Sequence, residues 1–340
     1  MRWTRRAFLA GASAALTGTG GGAVAAQQGP SRPVSIEIRS RPIMAFSAAE
    51  PERRDFGALT FVGGLELTAS QDGFGGFSGL WLSPDGSELV ALSDRSQWLT
   101  AHVLRRDGRL AGLANAVMAP VLGADGRPLR RTRHYDSEAF TISGGLAYVA
   151  FERSHDVMRF EWGKEGVRAR GALLRVPPEV KRLPRNEGLE AIGIAPPRHP
   201  LAGALIAIAE RAREGDGAPT RGFILTGPRT GAFDVVRSDG FDITDLAFLP
   251  SGDMLLLERR FSYFRGVASR LRRIPAAAIA PGATVDGPVV FSADAGHQID
   301  NMEGLAVRRD ASGATVLSMI SDDNFSALQR TVLLEFTLDR

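Results

Sequence analysis

The stretch SGLWLSPDGSELVALSDR, residues 78–95, decides how this chain reads. A small polar residue opens it and an apolar run follows. Pro84-Asp85-Gly86 turns it, a second apolar run returns, and Asp94-Arg95 closes it. Two short apolar runs around a Pro-Asp-Gly turn predict a β-hairpin. The unit recurs as EAFTISGGLAYVAFER from Glu138 and as EAIGIAPPRHPLAGALIAIAER from Glu190. It returns again as TDLAFLPSGDMLLLERR from Thr244 and as EGLAVRRDASGATVLSMISDD from Glu303.

The starts, 78, 138, 190, 244 and 303, are 60, 52, 54 and 59 residues apart. That spacing holds four strands, the content of one β-propeller blade. In the second unit, residues 157–162 and 167–175 supply the two further strands. Helical periodicity is nearly absent; residues 276–280 come nearest. The expected fold is therefore all-β, a β-propeller of four-stranded blades. Five blades is the direct count. Six follow if a degenerate blade lies within 95–135 or uses 34–39. The fifth unit runs out after 331–338, one strand short, and 59–67 offers the missing strand. Closure by pairing the two ends of the chain is the expected result.

Upstream of the repeats, residues 26–56 form a polar lead-in with prolines at 30, 33, 42 and 51, and the propeller domain is expected over 57–340. Residues 1–25 carry Thr4-Arg5-Arg6-Ala7-Phe8-Leu9, a weakly apolar Gly/Ala stretch and Ala23-Val24-Ala25. A twin arginine, a modest apolar region and an A-x-A end describe a cleavable signal for the twin-arginine (Tat) translocase. Gly18, Gly20, Gly21 and Gly22 argue against a first helix of the fold, since each glycine costs about 1 kcal/mol in a helix interior. The expected location is the periplasm or the exterior. No later run approaches the 18 or so apolar residues of a membrane span, so the mature chain is expected to have no transmembrane segment.

Composition excludes several chemistries. With no cysteine among 340 residues, disulfides, thiolate zinc sites and cysteine nucleophiles are ruled out. Of 41 Lys and Arg, three (Arg2, Arg5, Arg6) lie in the signal segment, leaving 38 against 38 acids. A balanced mature charge gives no basic footprint for nucleic acid. Gly76-Phe77-Ser78-Gly79-Leu80 lacks the second glycine and the strand-to-helix context of a serine nucleophile elbow, so Ser78 is expected to satisfy a turn or a neighbouring acid. There is no phosphate-binding P-loop, no dinucleotide fingerprint and no H-E-x-x-H.

The chemistry lies in the repeat itself. The first two strands of a blade run antiparallel outward from the channel, so the start of one and the end of the other share one mouth. Glu138, Glu190 and Glu303 open first strands, with Ser78 and Thr244 in the equivalent register. Asp94, Glu152, Glu210, Glu258 and Asp322 close second strands. Asp136, Asn186, Glu187, Asp242, Asp245, Asn301, Asp323 and Asn324 stand nearby. Crowded carboxylates raise each other's pKa and call for compensation. Arg95, Arg153, Arg211 and Arg259, one after each of the first four closing acids, offer ion pairs across blades and candidate contacts for an anionic substrate. The other compensation is a hard cation such as Ca²⁺, which takes 6–8 oxygen ligands. Its expected ligands are Asp94, Glu152, Glu210, Glu258, Asn301, Glu303, Asp322 and Asp323, with the fifth unit favoured because Asp323 replaces arginine there. Glu303, Glu190 and Glu138 are the candidate catalytic carboxylates. His134 and His155 fall near this mouth, where either is a candidate acid or base at neutral pH, though solvated loop residues are the first expectation; His199, in a Pro-rich turn, is expected at the surface. The basic loop Arg127, Arg130, Arg131 and Arg133 leads toward the same mouth.

The segments FGALTFVGGLELTA, FGGFSGLWLSPDG, NEGLEAI, DLAFLPSGDMLLLERRFS and SDDNFSALQRT resemble the family described as esterase-like activity of phytase, or phytase-like domain. The likeness runs from about residue 34 to 338. It implies an exported hydrolase of esters or phosphoesters acting on a small ester or anionic substrate. The R-H-G-x-R-x-P signature of histidine-type phytases is absent. Two other readings stay open: a lactonase similar to the gluconolactonase-like propellers, and a non-enzymatic binding or scaffold propeller whose cation is structural.

Overall fold

A computed structural model of the chain describes residues 29–184, 188–211, 218–262 and 266–338; the expected signal segment, with Arg5 and Arg6, lies outside them. Five antiparallel sheets form a five-bladed propeller. From the channel outward, blade 1 is Phe77–Leu82, Glu88–Ser93, Gln97–Arg106 and Arg109–Pro120. Blade 2 is Ser137–Ser143, Leu146–Phe151, Asp156–Phe160 and Ala172–Leu174; its two outer strands are shorter than the expected 157–162 and 167–175, and a short helix Trp162–Glu165 lies between them. Blade 3 is Leu189–Ile194, Leu205–Ala209, Thr220–Ile224 and Gly231–Val235, extended by a parallel bridge from Thr284–Val285. Blade 4 is Asp242–Phe248, Met254–Ser262, Gly266–Ile274 and Val289–Ala293.

Blade 5 contains the closure. Asn301–Arg309, Thr315–Asp322 and Thr331–Leu338 come from the end of the chain, and Leu59–Ala69 pairs antiparallel with Thr331–Leu338. Both expected sources of a sixth blade are used elsewhere. Residues 97–120 are the outer strands of blade 1, and Val34–Ile36 is a fifth strand on its edge, paired with Arg109–Pro120. Ile38–Ile43 lies on the outer edge of Leu59–Ala69. The lead-in thus covers the edges of blades 1 and 5, which would otherwise present open hydrogen-bonding groups.

The hairpin turns follow from local chemistry. In the deciding stretch Gly86 takes φ +72°, which glycine alone adopts cheaply. Asp85 accepts hydrogen bonds from Ser83 and Ser87, which hold its carboxyl down at about 2. The core is divided into five apolar clusters, one between each pair of neighbouring blades. Between blades 4 and 5, Phe46, Phe291 and Phe336 pack with ring centroids 5.1–5.9 Å apart. Across the junction of blades 5 and 1, buried Glu335 receives two hydrogen bonds from Arg105, both 2.7 Å, and one from Arg308 at 3.3 Å.

Candidate functional site

Every inner strand carries the same irregularity. Ser78, Glu138, Glu190, Thr244 and Glu303 are each the extra residue of a β-bulge, skipped by the register between the first and second strands of their blades. A bulge takes its extra residue out of the ladder and re-aims the side chain. All five residues are only 1% exposed. The hydroxyls bond forward to the next blade: Ser78 Oγ donates to the Ser137 carbonyl at 2.8 Å, and Thr244 Oγ1 to the Met302 carbonyl at 3.1 Å. Ser78 is thereby a buried inter-blade tie. The other three blades place glutamate at this position.

The residue after the bulge is Gly79, Ala139, Ala191 or Gly304 in four blades. Inner strands meet here, and a Cβ on Gly304 would stand 2.8 Å from the Gly79 carbonyl carbon. Blade 4 has Asp245 instead. Its carboxylate accepts from the Leu246 and Leu305 N–H groups at 2.8 and 2.7 Å. Complete burial pushes this carboxyl well above the usual range, against the lowering effect of those two hydrogen bonds.

A second ring closes the second strands. The N–H groups of Asp94, Glu152 and Glu210 donate to the carbonyls of Gly76, Asp136 and Gly188, and Asp322 pairs with Asn301 in the same register. In blade 4 the equivalent residue, opposite Asp242, is Arg259. The expectation for Glu258 is corrected here. It lies one position earlier, and a one-residue slip turns a side chain to the other face of the sheet. Glu258 is buried in blade 4, where Arg270 Nε donates to it at 2.6 Å and Arg272 Nε and Nη2 donate at 2.8 and 2.6 Å.

With arginine in the acid's place, blade 4 supplies the cation of the mouth. Arg259 Nη1 donates to Asn301 Oδ1 at 2.9 Å, and the guanidinium lies 3.6 Å from both Glu210 and Glu303. The remaining expected arginines are also engaged. Arg153 binds Asp136 at 2.5 Å and Arg211 binds Asp242 at 2.5 Å. Arg95 stacks on Phe325, 3.3 Å from the ring centroid.

Among the described residues, the acids of the fifth unit do not fall within a convergent group of three. Asp323 Oδ1 accepts from the Gly76 and Phe325 N–H groups, both 3.0 Å, and Oδ2 accepts from Thr331 Oγ1 at 3.0 Å. This carboxylate clips the loop after Asp322 onto blade 1. Asn301 is committed to Arg259 through its oxygen and to Glu303 through Nδ2, 2.8 Å away. Asp322 Oδ1 accepts from the Asn324 N–H at 2.6 Å.

Carboxylates converge instead in blades 2 and 3. Asp136, Glu138 and Glu152 form one group, and Glu152, Glu190 and Glu210 another; in each, one oxygen per residue lies within 4.8 Å of the others. Glu152 belongs to both. Ca²⁺ binds oxygens at about 2.3–2.6 Å, so ligands on opposite sides of the ion stand about 4.6–5.2 Å apart, and the donor set fits. The second group is deeply set, with Glu152, Glu190 and Glu210 at 6%, 1% and 5% exposure. Asn186 and Glu187, expected nearby, lie outside the described residues.

The histidines differ from expectation. His134 and His155 are 7% and 5% exposed, and His199 is 3% exposed with Nδ1 accepting from the Leu201 N–H at 2.9 Å. His134 Nε2 meets Asp156 Oδ2 at 2.8 Å, while Lys181 and Arg133 bind the same carboxylate. Burial alone would raise the Asp156 carboxyl; Lys181 and His134 outweigh it and hold the group below its ordinary value. Burial pushes the His155 and His199 imidazoles down. The sequence carried no signal for Asp156, which lies beyond the repeat unit.

Residues 72–325 match the model of the phytase-like family, described as esterase-like activity of phytase. The chain belongs to this family, a propeller of hydrolase type. No curated protein sequence is significantly similar to it. Among solved structures it is similar to the PQQ-bound aldose sugar dehydrogenase of Streptomyces coelicolor, with 10% identity, 92% of this chain and 100% of that chain covered, and a TM-score of 0.43. It is also similar to a chain of a nidogen/laminin complex, with 9% identity, 78% and 87% coverage, and a TM-score of 0.38.

Proposed function

We propose that this protein is an exported hydrolase of esters or phosphoesters whose reaction centre is the carboxylate cluster at the mouth of the channel. The observation that carries the reading is the convergence of Glu152, Glu190 and Glu210, all buried, with mutual oxygen distances within 4.8 Å. Like charges held that close repel strongly unless a cation joins them. Asp136, Glu138, Glu152, Glu190 and Glu210 would hold a hard divalent ion such as Ca²⁺. Such an ion supplies Lewis acidity toward a phosphoryl or carbonyl oxygen and lowers the pKa of a bound water.

The chain's own residues provide the rest. Glu303, oriented by Asn301 at 2.8 Å, accepts a proton on the blade 5 side. Arg259, between Glu210 and Glu303, neutralises negative charge that develops on the substrate. Membership of the phytase-like family supports the hydrolase class. The test is a panel of aryl esters, sugar lactones and phosphomonoesters with and without chelator, alongside elemental analysis of the purified protein. Hydrolysis that disappears with chelator and returns with Ca²⁺ is expected. Full activity in chelator would remove the metal from the mechanism, and no activity on any ester would remove the hydrolase.

The depth of Glu190, Glu152 and Glu210 favours one alternative, a binding propeller with a purely structural cation. Metal-dependent melting without hydrolysis would select it. Export rests on the twin arginine. Replacing Arg5 and Arg6 together with lysine is expected to strand the precursor in the cytoplasm, because a receptor reads that pair; unchanged export of the double variant would overturn the assignment. Among the described residues no helix is long and apolar enough to cross a membrane.

A further inference from the structure

A small recess opens on the rim of the mouth between blades 4 and 5. One wall comes from blade 4, where alternation along the second strand puts Arg259 and Phe261 on one face. Val267, the register partner of Phe261 on the third strand, stands on that same face. The other wall is the loop after Asp322 in blade 5, which presents Asn324 and Gln329. Arg259 and Asn301 close the end nearest the channel. The loop is fixed before any guest arrives. Asn324 Nδ2 donates to Gln329 Oε1 at 3.1 Å, and Gln329 Nε2 donates to Asp300 Oδ1 at 3.1 Å. Asn324 and Phe325 lie at φ +49° and +51°. For a residue as bulky as phenylalanine that conformation is costly, and such strain gathers at ligand clamps.

Charge and size decide what the recess takes. Among the described residues no carboxylate lines it, so a cation gains nothing there. Arg259 is already met by Asn301 at 2.9 Å and by Glu210 and Glu303 at 3.6 Å. Arg260 turns its guanidinium to the Phe241 ring and the Asp239 carbonyl. Neither guanidinium is offered to an anion. Phe261, 43% exposed, and Val267 offer apolar surface instead. The volume is about 30 Å³, and one water needs roughly 10–15 Å³. A guest of about two or three heavy atoms fits at that scale.

We propose that this recess seats the short, uncharged acyl group of a carboxylic ester, its carbonyl toward Arg259 and its methyl or ethyl end on Phe261 and Val267. The substrate class is then a short-chain carboxylic ester rather than a phosphomonoester. That choice of substrate rests on the function proposed above; selection of a guest by size and charge does not.

Binding and turnover are measured separately on the full protein. Three anilides that differ only in the acyl group are titrated by NMR: acetanilide, hexananilide and the anion oxanilate. Acetanilide is expected to bind about tenfold or more tightly than either of the others, the scale on which a pocket discriminates added methylenes. Phe261→Ala and Val267→Ala, both at positions outside the buried core, open the recess and should bring hexananilide within about threefold of acetanilide. Melting curves of both variants check folding. In turnover, kcat/KM for p-nitrophenyl acetate should exceed that for the hexanoate by a similar factor, and the gap should narrow in the variants. Equal or tighter binding of hexananilide or oxanilate by wild type, or a ratio unmoved in both variants, overturns the proposal. Failure of acetanilide to bind overturns it whatever esters are hydrolysed. The expected binding order with no ester hydrolysed upholds the recess and removes the hydrolase.

Discussion

Replacing Glu152 with glutamine is expected to raise the melting temperature in chelator and lower it in saturating Ca²⁺, relative to wild type in each condition. Glu152 is the one carboxylate common to both groups at the mouth. Without metal, its charge stands within 4.8 Å of Glu190 and Glu210 and is 6% exposed, so neutralising it relieves repulsion. With metal, the same substitution removes a ligand that joins blades 2 and 3. A ligand specific to the folded state at about 100 times its dissociation constant stabilises by about 2.7 kcal/mol. In a domain of nearly 300 residues that corresponds to roughly 4 °C. Wild type should show a Ca²⁺-dependent shift of this order, and Glu152→Gln should lose most of it together with the hydrolysis. Scanning calorimetry of both proteins in the two conditions checks the crossing. Coincident wild-type curves, with no metal found in the protein, would mean that the arginine contacts suffice, and the metal mechanism falls.

The second large effect concerns closure of the ring. Glu335 is 1% exposed and holds Arg105 of blade 1 through two 2.7 Å hydrogen bonds, with Arg308 and Ser318 completing its shell. Glu335→Gln leaves Arg105 and Arg308 facing a neutral group inside the junction. Removing one partner of a buried pair costs about 3–5 kcal/mol, and urea unfolding of the variant should show a loss of that order. The pH dependence follows from the carboxyl itself. Burial alone would raise its pKa; the Arg105 hydrogen bonds and then the charges of Arg105 and Arg308 outweigh burial and hold it below the ordinary 4.5. A depressed folded value means that the stabilisation is fully present above the unfolded pKa. It is lost as pH falls through about 4.5 and below. Wild type and Glu335→Gln should therefore converge in stability toward acid. A constant gap down to pH 3 would show that the pair is not the source.

Much of the architecture is legible in the amino-acid sequence. Five repeats, the hairpin at their centre and the use of residues 59–67 to finish the last blade follow from period, turn residues and a missing strand. These are local signals, because hydrophobic alternation and a Pro-Asp-Gly turn act over a few residues. The edge strands Val34–Ile36 and Ile38–Ile43 are less legible, since a lead-in with four prolines has weak alternation and gains its pairing only from sheets already built.

The site divides along the same line. Sequence by itself determined which residue types gather at one mouth, since start of strand one and end of strand two coincide whatever the details. Only tertiary structure decided where each charge goes. Ser78, Glu138, Glu190, Thr244 and Glu303 act as bulge residues, and a bulge is set by pairing between strands rather than by the residue itself. The same pairing moved blade 4 by one position, so that Arg259 instead of Glu258 faces the channel. It also drew Asp323 away to the backbone of blade 1 and left the convergent carboxylates in blades 2 and 3. Strand alternation has a period of two, so a single residue of register inverts a side chain's destination, and register is a property of the assembled sheet.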